Sequence, residues 1–200
     1  MERATTAAQS IHAEAVNEGT DFERGLTEIG RIGVRKMEGT PGAIGLIVIV
    51  TLYIAIGGMA AAGSIYLSKL ILGAEQEQIF FGLFLIPVAG FYLAFTAYFG
   101  NKDAWPLEVM AVAIFTVFGL VGIRLPFVLI VGYLLHGAWD GLHEFNALGR
   151  GSLLHPRQIT SVPLAYGYFC ATYDVLMAAY FYTRRHEWKA AWSRAATVIR

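Results

Sequence analysis

The chain has 200 residues, 56% of them hydrophobic and only 15% charged, with a mean hydropathy of +0.53. That balance exceeds what a water-soluble core needs and predicts an all-α integral membrane bundle. Fifteen basic residues offset fifteen acidic ones, so no global basic signal points to nucleic acid. The single cysteine, Cys170, excludes an intramolecular disulfide and a cysteine-only metal cage.

Residues 1–40 are polar and mixed in charge, without the apolar core of a signal peptide, so targeting is expected to fall to the first span. Within them Phe22, Leu26, Ile29 and Ile32 recur at helical spacing beside Arg24, Arg31, Arg35 and Lys36. This is the pattern of a short amphipathic helix on the membrane surface, although Gly25, Gly30 and Gly33 suit a weakly ordered tail equally well. A bundle of about five transmembrane helices is expected over 41–183, followed by a basic amphipathic tail at 184–200.

The first apolar span runs from about Ala43 to Leu72, long enough to require tilt, a kink near Gly57-Gly58 or protrusion. Glu75-Gln-Glu-Gln78 reads as a loop before a second span, Ile79 to Phe99, which contains Pro87. After a turn at Gly100-Asn-Lys-Asp103, a third span covers Trp105 to Ile123. Arg124-Leu-Pro126 punctuates before a fourth that ends near Phe145. Asn146 to Thr160 is a polar loop, and the fifth span occupies Val162 to Tyr182. Five crossings put the termini on opposite sides, yet both ends carry basic clusters. Lys102, Arg150 and Arg157 on the N-terminal side, against Arg124 and Lys69 opposite, tip the count toward a cytoplasmic N-terminus in a bacterial inner membrane.

The fourth span is unusual. His136, Asp140, His143 and Glu144 fall at about 0°, 40°, −20° and 80° on a helical wheel, one stripe that cannot face lipid. Burying a single charge near the bilayer centre costs roughly 2.5–3.5 kcal/mol, so such residues line a cavity, pair together or hold an ion. Counting along the fourth and fifth spans brings Cys170 and Asp174 to the level of His136, and Glu108, early in the third span, toward Asp140 and His143.

Two imidazoles and several carboxylates suit zinc or iron. His136, His143 and Asp174 are the expected ligands, Asp140 and Glu144 the catalytic base or orienting groups, and Glu108 and Cys170 the supporting residues. The spacing lacks the His-Glu-x-x-His register of zinc proteases. A metal-dependent hydrolase or oxidase acting on a lipid-like molecule from the surrounding membrane lipid is one reading. Another is an accessory subunit of an oligomer or larger membrane complex, held by a His136–Asp174 clasp. A third is a small proton-coupled transporter, though neither repeated halves nor a second polar-interrupted helix is visible.

From Leu125 to about Tyr182 the chain resembles the domain of unknown function 6010 family of uncharacterised bacterial membrane proteins. The resemblance rests on Gly132-Tyr-Leu-Leu-His-Gly-Ala-Trp-Asp-Gly-Leu-His143 and Cys170-Ala-Thr-Tyr-Asp174, with Trp105-Pro-Leu-Glu108 as a looser match upstream. Two positions depart from the family pattern: Glu144 stands where a further His is usual, and Val175 where Pro often follows the last Asp. The resemblance implies a small multi-pass bundle and supplies no activity.

Overall fold

The structure, a computed structural model, describes residues 42–149 and 158–198; the expected surface helix within 1–40 and the loop residues Arg150 and Arg157 lie outside them. Five helices follow one another: α1 Ala43–Ile71, α2 Ala74–Phe99, α3 Trp105–Gly122, α4 Pro126–Ala147 and α5 Tyr166–Val198. No strand occurs among the described residues. The breaks have local causes. Gly73 is extended between α1 and α2, and its N–H donates to the returning Gln76 side chain at 3.1 Å. Gly100 ends α2 in the left-handed region at φ +67°, and a 3₁₀ turn, Lys102–Ala104, leads into α3. Proline in the first turn opens both α3 and α4, where the missing N–H has no helical partner to lose.

Polarity is inverted relative to a soluble protein. Ile47, Leu70 and Phe127 are 64%, 68% and 68% exposed, whereas Glu77, Glu108, His136, Asp140, His143 and Asp174 have no exposure at all. The α1 and α2 helices and the 3₁₀–α3 segment are each long and apolar enough to cross a membrane. At 22 and 33 residues, α4 and α5 reach about 33 and 50 Å and have the length to cross as well. The chain is therefore an all-α integral membrane bundle. Its apolar core is centred on Phe81, Leu85, Leu129, Tyr133, Met177 and Phe181.

The α4–α5 contact is the largest helix interface, and two glycines set its closeness. A Cβ at Gly167 would meet Asp140 O at 2.5 Å and Glu144 Cβ at 2.8 Å, and one at Gly137 would meet Asp174 Cβ at 3.2 Å. Small residues let membrane helices approach backbone to backbone. Here that approach draws positions 136, 140 and 174 together.

Two segments differ from the expectation. Glu75–Gln78 is not a loop but the first turns of α2. Glu77 is buried there, accepting from Ser68 Oγ (3.1 Å), Trp188 Nε1 (2.8 Å), Arg184 Nε (3.0 Å) and the Tyr180 hydroxyl. Gln78 donates to Gly122 O at 2.7 Å and accepts from Trp192 Nε1 at 3.1 Å. These bonds explain the second difference. The last helix starts four residues later than expected, after Ala165 at φ +66°, and it continues past Tyr182 because Arg184, Trp188 and Trp192 have partners at the α1–α2 and α3–α4 turns. Arg124 stacks 3.7 Å above the Trp192 ring.

Candidate functional site

His136 and Asp140, one turn apart on α4, face Asp174 on α5 across the glycine-lined contact. His136 Nδ1 lies 2.7 Å from Asp174 Oδ2 and 3.2 Å from Asp140 Oδ2. An ionised Asp174 requires Nδ1 to carry the proton, which leaves His136 Nε2 as a buried acceptor. That atom has no partner, and neither Asp140 Oδ2 nor Asp174 Oδ1 accepts a hydrogen bond. Each such atom costs about 1–3 kcal/mol when left unsatisfied. Among the described residues, the only basic group paired with either carboxylate is His136. Even with a doubly protonated imidazole, the group retains one negative charge. The donor atoms of His136, Asp140 and Asp174 lie within 4.8 Å of one another and could hold a metal ion.

His143 and Glu144 do not join this group. His143 Nδ1 is 2.9 Å from Trp139 O, which can only accept, so Nδ1 donates. Its Nε2 is 2.8 Å from Glu108 Oε1. One proton is therefore held between His143 and Glu108, and neither ring nitrogen has a free lone pair for a metal. Glu108 Oε1 also accepts the Thr160 N–H at 3.0 Å, which ties the start of α3 to the segment before α5. Glu144 uses both oxygens on backbone, accepting from Ala165 N–H (3.0 Å) and Gly167 N–H (3.1 Å). It fastens the entry to α5, where Ala165 is held at φ +66°, and has no oxygen turned to the His136 group.

Tyr92 on α2 is a functional candidate that sequence reasoning missed. Its hydroxyl bonds Asp140 Oδ1, and its ring lies 4.1 Å from that of His143, so it touches both polar pairs. Phe115 packs edge-on against His136 at 4.9 Å. Thr96 and Thr160, hydroxyl to hydroxyl, close the layer above. Cys170 is buried one turn before Asp174 and lines, with Asp174, a cavity between α1, α2 and α5. Nothing in the sequence marked Tyr92, since α2 holds several aromatic residues and a hydroxyl acquires meaning only from the helix opposite.

A family model described as a family of unknown function (DUF6010) matches residues 52–187. No curated protein and no solved structure matches the chain.

Proposed function

The chain belongs to this family of unknown function, and because that description carries no activity, we propose from the geometry that His136, Asp140 and Asp174 bind one divalent ion, zinc or iron. The ion would serve hydrolysis or oxidation of a lipid-like molecule entering from the bilayer. One observation carries the reading: two carboxylates and one imidazole converge with no exposed surface, with three polar atoms unsatisfied and no Lys or Arg paired to them among the described residues. A divalent cation would supply the missing charge, taking the place of the Nδ1 proton between His136 Nδ1 and the Oδ2 atoms of Asp140 and Asp174 and leaving the ring proton on Nε2. In a tetrahedral site with bonds of about 2.05 Å, donors stand about 3.3 Å apart. The His136–Asp140 separation of 3.2 Å matches that spacing, and Asp174 would move outward by about 0.6 Å from its 2.7 Å contact. Tyr92 would then orient Asp140, while Glu108, His143 and Glu144 hold the surrounding helices rather than the ion.

The 2.7 Å His136–Asp174 contact also favours a second reading, a non-catalytic clasp in an accessory membrane subunit. Elemental analysis of detergent-purified protein separates the two. The metal reading expects about one zinc or iron per chain, a sharp loss in His136→Ala and Asp174→Asn, and retention in His143→Gln. Wild-type protein that is metal-free, folded and monodisperse leaves the clasp. We further propose that the residue-42 end of α1 faces the cytoplasm of a bacterial inner membrane, the orientation supported by the loop charges.

A further inference from the structure

The cavity between α1, α2 and α5 has a volume of about 240 Å³. Its wall is apolar along Ala60, Phe84, Val88 and Phe169, and Phe91, 53% exposed, stands at its mouth on the outer face of the bundle. Two polar groups on the wall satisfy each other, since the Tyr173 hydroxyl donates to Ser64 Oγ at 3.2 Å. Asp174 is different: it lines the same cavity, is wholly buried, and its Oδ1 has no partner. The space is larger than the ~150 Å³ hole that admits benzene and smaller than the ~300–1,000 Å³ of sites for drug-sized ligands. It accepts one hydrocarbon chain segment and not a double-chain lipid.

We propose that this cavity binds a single-chain, uncharged amphiphile through its hydrocarbon segment, with a terminal hydroxyl donated to Asp174. The chain fits the apolar wall, and the hydroxyl would supply the donor that Oδ1 lacks once the covered Asp174 carboxylate turns toward the cavity. An anionic head would meet a carboxylate with no Lys or Arg on the wall. The preference for a neutral over a cationic head rests on the metal reading, because an ion at the centre already neutralises the two carboxylates. Occupancy of the cavity by a chain does not depend on that reading.

The test uses the full-length protein in phosphatidylcholine vesicles and three photoactivatable probes of equal chain length, an alcohol, a carboxylic acid and an amine, each with a diazirine near its tail. The alcohol is expected to label peptides containing Phe84, Val88 or Phe169, and unlabelled alcohol to compete at least about tenfold better than the acid or the amine, a difference of about 1.4 kcal/mol. Val88→Trp and Ala60→Phe, from opposite walls, should each abolish this labelling while the protein stays monodisperse. Equal or better competition by the acid overturns the head-group assignment. Preference for the amine also overturns it, and together with metal-free protein shows that the metal reading has failed while the cavity still takes a chain. Labelling confined to outward-facing residues such as Val109 or Leu120, or labelling unchanged in both variants, overturns the site itself. The selectivity among probes on the wild type decides the proposal even where a variant fails to fold.

Discussion

Single atoms decide how closely α4 and α5 approach, and the glycines make this measurable. At Gly167 an added methyl would press on the Asp140 carbonyl, a backbone atom that cannot turn aside. We expect Gly167→Ala to destabilise the protein by about 1–3 kcal/mol and to lower metal content by spreading Asp140 from Asp174. Gly141, on α4, has open space around its Cβ position, so Gly141→Ala should be neutral or stabilise by up to about 1 kcal/mol through helix propensity. Thermal unfolding of the two variants in one detergent checks the contrast; equal effects would mean that closeness at Gly167 is not what matters. At this scale the sequence was partly legible. The His136–Asp174 pairing followed from equal depth, because an uncompensated charge in an apolar span must find a partner. The separation of His143 from His136 did not follow. A helical wheel places both on one stripe and says nothing of Glu108, which engages only one of them.

At the level of elements, α5 is one continuous helix through the point where the sequence changes from apolar to basic. Basic residues after an apolar run read as a membrane boundary, and Arg184 was taken for one; in the fold its guanidinium lies 2.9 Å from buried Glu77. A polar run between apolar runs likewise reads as a loop, and Glu77 and Gln78 were placed in one. The two segments are partners across more than a hundred residues, a pairing that neither run discloses by itself. Arg184→Ala would leave Glu77 with hydrogen-bond donors and no cation. We expect a loss of roughly 3 kcal/mol, the low end for a broken buried pair, because the guanidinium keeps some contact with water. Arg184→Ala/Glu77→Gln should recover much of it, which a double-mutant cycle by chemical unfolding would measure. Absence of coupling between the two positions would reduce the contact to a surface ion pair.

For the whole molecule, a bundle in which all five helices cross would make a simple topological statement. Reporters inserted at Asn101 and fused after Arg200 should lie on opposite sides of the membrane, and one inserted at Gly73 should share the side of Arg200. Any other pattern would mean that a helix lies flat or turns back. The number of helices and the all-α class were legible because the hydrocarbon core sets a length that apolar runs either reach or do not. The inward polar layer was only half legible: charges within apolar runs stand out, whereas tyrosines and threonines, half apolar themselves, do not.

The position of Asp174 along α5 has an electrical consequence. It lies eight residues from the start of that helix, about 12 Å of rise, which would be about two-fifths of a ~30 Å hydrocarbon core entered at Tyr166. A divalent ion reaching it from that face would cross the same fraction of the transmembrane field. At about 2.3 kcal/mol per charge per 100 mV, its affinity would change by about 1.8 kcal/mol, near twentyfold, for each 100 mV. In energised vesicles the centre would act as a voltmeter, with metal content that depends on the sign of the imposed potential.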